Sequence, residues 1–180
     1  MIALDKAKQQ KIHRRKIDTT IYEGASDTII VEGSLEDRRF LDAHLPDGEI
    51  RPPSTVHHMI IRMELTLPEL QILDIDVEMP SAPHEACHEA RACLEPVIGM
   101  RIAAGFTARV RKAVDRKKGC THLQTLLAAM APAAFQGAWS ARVSQPIEAE
   151  VYAGMSQRLV NTCWVWREDG PLAKKRLHQQ

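Results

Sequence analysis

Between Thr55 and Met79 the chain alternates in a way that suits a sheet with one wet face. In Thr55–Leu67, His57, Met59, Ile61, Met63 and Leu65 share one side, and His58, Arg62 and Glu64 lie mainly on the other. Past Pro68, Leu73, Ile75, Val77 and Met79 alternate with Asp74, Asp76 and Glu78. A period of two sends neighbouring side chains to opposite faces, so both runs read as half-buried strands. Two more strands precede them. Ile12–Tyr22 is rich in β-branched residues and ends at the turn Glu23-Gly24-Ala25-Ser26-Asp27, and Thr28–Leu35 follows. That pair predicts a hairpin. Asp42–Pro53, with two glycine/proline clusters, predicts a loop. Four sequential strands with short links imply an antiparallel meander.

The pattern changes at Pro80-Ser81-Ala82-Pro83. Ser81 can cap a helix and Pro83 suits a first turn. Alanine-rich helical sequence runs to about Cys93, then Pro96, Gly99 and Gly105 punctuate the chain. Phe106–Val114 is basic and amphipathic. Thr121 to about Trp139 is the longest helical pattern, and Pro132 is expected to bend or break it. Leu159–Trp166 fits a helical turn or a strand, while residues 1–10 and Leu172–Gln180 read as frayed ends. Strands first and helices after predict an α+β fold: a four-stranded N-terminal meander covered on one face by C-terminal helices. At 180 residues and 44% hydrophobic, the chain is expected to form a single domain, 1–180.

Composition narrows the function. A net charge of +1 gives no reason to expect nucleic acid as a partner, and no apolar run approaches the 18 residues of a membrane span. The N-terminus lacks the apolar stretch of a signal peptide. Cys87, Cys93, Cys120 and Cys163 are irregularly spaced and read as reduced thiols of a cytoplasmic protein. There is no Walker A sequence, no G-x-G-x-x-G after a strand and no G-x-S-x-G elbow, so nucleotide cofactors and serine hydrolysis lack support.

Gly119-Cys120-Thr121-His122-Leu123 carries the strongest chemical signal. It sits between the basic Arg116-Lys117-Lys118 and the apolar Leu126-Leu127-Ala128-Ala129-Met130. A thiol, a hydroxyl and an imidazole then open a helix, where free N–H groups and the dipole favour anions. The plainer alternative is a buried thiol and a cap. His57 points toward the core or a pocket, and Arg62 is either solvated or binds a carboxylate or phenolate. Asp37, in Glu32-Gly33-Ser34-Leu35-Glu36-Asp37-Arg38-Arg39, either serves a histidine or acts as a base, or belongs to an exposed charged turn. Arg14-Arg15-Lys16 is a weak anion-site candidate that a charged edge strand explains equally well. His84-Glu85-Ala86-Cys87-His88 spells the zinc motif H-E-x-x-H. Pro83 places it in a first turn, with polar flanks and no clear third ligand, so a solvated helix start is expected.

Taken together, several of these pieces resemble a bacterial family known only as a domain of unknown function. The resemblance rests on Arg14-Arg15-Lys16-Ile17-Asp18, Glu32-Gly33-Ser34-Leu35-Glu36-Asp37, His57-His58-Met59 with Arg62, and Cys87. It continues through Leu94 with Gly99, Gly105-Phe106, Gly119 to Leu123, and Gln136-Gly137, covering about residues 12–165. His58 departs from it, standing where the family usually has aspartate, and His84 and His88 match no motif of it. The resemblance implies a setting in aromatic breakdown. Some similar proteins remove a hydroxymethyl group as formaldehyde from lignin-derived biaryls, leaving a stilbene.

The leading expectation is therefore a cofactor-free carbon–carbon lyase acting on a small phenolic biaryl. His57 and His122 are the expected acid and base, Asp37 orients or charges one of them, and Arg62 stabilises the oxyanion. Met59, Met63, Phe106, Cys120, Thr121, Leu126, Gln136 and Trp139 are expected at the substrate, although apolar residues at such spacings are more often core. No metal is expected. The alternatives are a metal-dependent hydrolase or lyase using His57, His122 and Cys120 or Asp37, and a non-catalytic binder of small aromatics. No membrane partner is expected, and a homodimer is allowed for.

Overall fold

The computed structural model describes residues 3–114, 117 and 119–177. Arg116 and Lys118 of the basic run, the first two residues and the last three lie outside the described residues. The chain forms two compact units, Met1–Ala138 and Trp139–Gln180, with the boundary inside one long helix.

The first unit is built on four antiparallel strands: β1 (His13–Glu23), β2 (Thr28–Arg39), β5 (Ser54–Thr66) and β6 (Ile72–Ser81), in that spatial order. This is the expected meander. The stretch expected as a loop holds a two-stranded hairpin, β3 (Ala43–His44) with β4 (Ile50–Arg51). Both strands are only two residues long, too short for periodicity to reveal. Alternation decides which sheet face is dry. Ile29, Val31 and Leu35 of β2 and Met59, Ile61, Met63 and Leu65 of β5 are buried, while residues between them are more exposed. The wet face is held by charge: Arg62 donates to Glu32 on β2 and to Asp76 and Glu78 on β6.

The dry face is covered by helical segments. Thr121–Val143 forms one helix, labelled α3; a short helix α1 (Ala3–Ala7) and α2 (Phe106–Ala113) precede it. Pro132 neither breaks α3 nor ends it. A proline forfeits one backbone hydrogen bond, and the burial of Leu123, Leu126, Leu127, Met130, Ala131 and Ala134 along one flank outweighs that loss. Gly33 on β2 lets α3 come close, since a Cβ there would lie 2.4 Å from the Met130 sulfur.

The alanine-rich segment is a 3₁₀ helix, Glu85–Val97, in place of the expected α-helix. Its three-residue turn matters for the zinc motif. Residues four apart then sit about 120° apart around the axis, so His84 and His88 share no face. His84 is moreover the cap and lies outside the helix.

In the second unit, α4 (Ala149–Gln157) and α5 (Pro171–Leu177) follow the end of α3. Leu159–Trp166, open between helix and strand in the sequence, forms turns and bends. The tail expected to fray from Leu172 is helical as far as Leu177. Among the described residues, no helix is long and apolar enough to cross a membrane.

Candidate functional site

Cross-strand register builds the site. Arg15 on β1 pairs with Asp37 on β2, and Asp37 pairs with His57 on β5. The three side chains form a row on one face at the sheet end where β5 begins. The β2–β5 register shifts immediately after the Asp37–His57 pair, a bulge of the kind that re-aims side chains next to active sites. His122 reaches the row from the first turn of α3, and its ring stacks on His57 with centroids 3.9 Å apart and planes 27° from parallel. Two histidines 65 positions apart in sequence thus form one surface.

Asp37 is at the centre. It is 2% exposed and is the only charged side chain in the buried set among the described residues. Burying a carboxylate is costly unless it is paired. Arg15 pairs it with two bonds, Nε to Oδ1 at 2.7 Å and Nη2 to Oδ2 at 2.5 Å. His13 Nε2 lies 3.4 Å from Oδ1; His57 Nδ1 and His122 Nε2 lie 3.4 and 3.6 Å from Oδ2. The Arg15 fork, assisted by His13, outweighs burial and holds the carboxyl down to about 2.

Both inner histidines are biased toward the neutral form. Burial lowers the pKa of His57 more than the attraction of Asp37 raises it, and Arg15 adds to the lowering. Burial also lowers His122, followed by repulsion from His57 and Arg15. The nitrogens differ in what they face. His122 directs Nε2 at Asp37, with Nδ1 3.9 Å from the Cys120 thiol. His57 directs Nδ1 at Asp37, and its Nε2 has no hydrogen-bond partner among the described residues. In the tautomer whose Nδ1–H faces the carboxylate, Nε2 keeps its lone pair, as a general base requires. The two side chains are 17% and 28% exposed, so solvent or a ligand can reach them.

The structure sorts the remaining expected residues. Cys120 and Met59 adjoin the cluster: the thiol lies 4.0 Å from the Met59 sulfur, and Met59 is buried two residues beyond His57 on the same face. Leu126 is fully buried one turn beyond His122. Met63 lies six residues along β5 from His57, about 20 Å at the strand rise, and Gln136 lies fourteen residues along α3 from His122, about 21 Å at the helix rise. Neither belongs to the cluster. Trp139 is part of the second unit, where its ring meets Tyr152 edge-on. Arg62 is on the opposite sheet face, because an even position on β5 points away from His57 and Met59. Its guanidinium is committed to Glu78, Glu32 and Asp76 there, which raises its pKa. It cannot hold an oxyanion against His57.

Phe106 and Thr121 instead line a cleft of about 740 Å³ between α2 and the start of α3, together with Arg111, Gln124 and Thr125. Neither histidine lines it. Arg15 and His13 are the cluster members the sequence reading did not choose. Arg15 stood in the sequence within the anion-site candidate Arg14-Arg15-Lys16 and the family motif Arg14-Arg15-Lys16-Ile17-Asp18, not singled out from its neighbours, and His13 gave no signal of its own. Their place follows from a register that pairs Arg15 with Asp37.

Asp37, His57 and His122 also bring one ligand atom each within 4.8 Å of one another, the only such group among the described residues. The His84–His88 motif joins no such group.

With this geometry in view, the comparisons decide the family. Residues 13–136, most of the chain and the whole of the cluster, match the family described as protein of unknown function, DUF2889. The chain belongs to the DUF2889 family. No curated protein and no solved structure matches it. The DUF2889 match begins at His13 and ends at Gln136, so His13, Arg15, His57 and His122, the partners of Asp37 among the described residues, lie inside it.

Proposed function

We propose that this DUF2889 protein is an acid–base lyase that removes a hydroxymethyl group as formaldehyde from a phenolic biaryl, leaving a stilbene. One observation carries the acid–base part: a carboxylate held anionic by Arg15 is shared by two stacked, neutral-leaning imidazoles, one with a nitrogen free. The choice of substrate rests on the family resemblance in the sequence.

The residues suit the steps. The benzylic hydroxyl of a phenolic 1,2-diaryl-1,3-diol leaves as water with a proton from the protonated fraction of His122, and the phenol gives its own proton to solvent, leaving a quinone methide. His57 Nε2 then takes the proton of the hydroxymethyl O–H. The carbon–carbon bond to that group breaks and formaldehyde departs. The electron pair forms the stilbene double bond and restores the aromatic ring as a phenolate. Diol becomes stilbene, formaldehyde and water, with no external oxidant or reductant. Asp37 stabilises the imidazolium formed on His57, as a carboxylate does behind a catalytic histidine.

A second reading has its own support. Three donor atoms within 4.8 Å, one anionic and two in neutral-leaning imidazoles, are a donor set a divalent transition metal accepts. Such an ion would supply a Lewis acid or an activated water.

One assay separates the readings. Protein treated with EDTA is given a phenolic biaryl diol. The acid–base reading expects formaldehyde and stilbene in equal amounts, with each of His57→Ala and His122→Ala slowing turnover by on the order of 10²-fold or more. Turnover abolished by EDTA and restored by zinc would replace it with the metal reading. Binding without turnover would leave a non-catalytic binder.

A further inference from the structure

The proposed reaction develops negative charge on a ring oxygen, and Arg62, the sequence's candidate to hold it, is on the wrong face of the sheet. The cluster has another guanidinium. Arginine carries five N–H donors. Arg15 gives its Nε–H and one Nη2–H to Asp37, which leaves three N–H groups with no hydrogen-bond partner among the described residues. The side chain is 40% exposed, so that outer edge meets solvent while the inner edge is fixed by a buried carboxylate. Three of the nearby cations are engaged elsewhere. Arg14 and Lys16 point to the other face and pair with Glu36 and Asp18. Arg39 donates to the backbone carbonyls of Leu41, Arg51 and Pro52.

We propose that Arg15 is the oxyanion-binding residue of this site, and that its ligand is an aromatic ring bearing an anionic oxygen, a phenolate in the reaction above. The inference rests on the acid–base reading for its chemistry and on the register for its geometry. Arg15, Asp37 and His57 lie on three adjacent strands, so the backbones of Arg15 and His57 stand roughly 10 Å apart at the usual strand spacing, while Arg15 Nη2 and His57 Nδ1 both converge on Asp37 Oδ2, at 2.5 and 3.4 Å, and leave the outer Arg15 edge and His57 Nε2 facing away from it. A phenolic ring system can span that gap with its oxygen at Arg15 and its side chain at His57. Charge then divides sensibly: as His57 becomes cationic it faces Asp37, and as the ring oxygen becomes anionic it faces Arg15. The inner edge of the fork is occupied, so the oxygen meets a donor whose direction is already set, which is what makes fixed donors effective.

The test reads binding and needs no turnover. 4-Nitrophenol lacks a hydroxymethyl group and its phenolate is coloured. Titrating the protein into it near its own pKa should raise the phenolate absorbance, and 4-nitroanisole, which cannot ionise, should bind more weakly. Arg15→Lys keeps a charge against Asp37 but loses the fork. It should weaken nitrophenolate binding by about tenfold or more, the scale of a lost charged hydrogen bond, with 4-nitroanisole binding unchanged. Arg62→Gln should bind nitrophenolate as the parent does. If Arg15→Lys folds poorly, the double variant Arg15→Gln/Asp37→Asn removes both charges together and should show the same selective loss. Equal binding of nitrophenolate by parent and Arg15 variants would overturn the proposal. So would a parent that prefers 4-nitroanisole, or one that binds 4-nitrobenzoate more tightly than nitrophenolate. Because the probes cannot turn over, a protein that binds them as expected but releases no formaldehyde refutes the lyase and leaves the Arg15 site standing.

Discussion

Replacing Asp37 with asparagine removes the charge that organises the cluster while keeping its size. The carboxyl is held at about 2 against an ordinary value of 3.8. A difference of nearly two pKa units corresponds to about 2 kcal/mol of preference for the anion in the folded state. Its folded value lies below its unfolded one. The stabilisation is therefore complete above about pH 4 and is lost as pH falls from there toward 2. Asparagine also leaves Arg15 without its anion. Breaking a buried pair costs about 3–5 kcal/mol, but Arg15 is partly exposed and finds water, so the lower end applies. We expect Asp37→Asn to lose about 2–3 kcal/mol at pH 7, read by urea unfolding, and roughly 5–10 °C in Tm. The gap to the parent should narrow as pH falls below 4, because the parent loses the same charge there. The histidines give a second readout. Asp37 raises both imidazole pKa values, so its removal should lower both further in an NMR titration. A variant as stable as the parent at pH 7, or a gap undiminished near pH 2, would refute this account of Asp37.

Three further outcomes follow from other parts of the structure. His57 and His122 both titrate below the ordinary 6.5 in the folded state, so the unfolded chain binds protons first; stability measured by urea titration should fall as pH drops below about 6.5, and less steeply in a His57→Gln/His122→Gln variant. Gly33→Ala should cost about 1–3 kcal/mol in chemical unfolding, because its Cβ would strike the fully buried Met130, and in a Met130→Ala background the added cost should shrink. His84→Ala with His88→Ala should leave activity and Tm nearly unchanged, as for most substitutions away from a built site.

Much of the fold was legible because β5 states its period openly and β6 does so from Asp74 to Met79, whereas a register shift buries Ile72 and leaves Leu73, expected on the apolar face, exposed. Each buried position from Met59 to Leu65 is the one that alternation assigns to the core. The meeting of His57 and His122 was legible for the same reason: one lies on the dry face of a strand, the other in the first turn of the helix that covers that face. What periodicity cannot carry is register. Nothing in Arg14-Arg15-Lys16 says which of the three faces Asp37, and only the pairing of β1 with β2 selects Arg15. The choice of Arg62 failed on a rule already available, since an even-numbered residue cannot share a face with His57. The 3₁₀ geometry of Glu85–Val97 was hidden because alanine-rich sequence favours α-helix. The small β3–β4 hairpin was hidden by its length.

The central claim is that substrate binds against His57 and His122, and a crystal structure with the stilbene product bound tests it most directly. The account places the vinyl carbon that carried the departed hydroxymethyl group within about 5 Å of His57 Nε2, one hydrogen bond and two covalent bonds away. It places the phenol oxygen at the outer edge of Arg15 and no metal between the imidazoles. Product seated in the cleft beside Phe106 and Thr121, or a metal bridging Asp37, His57 and His122, would contradict it.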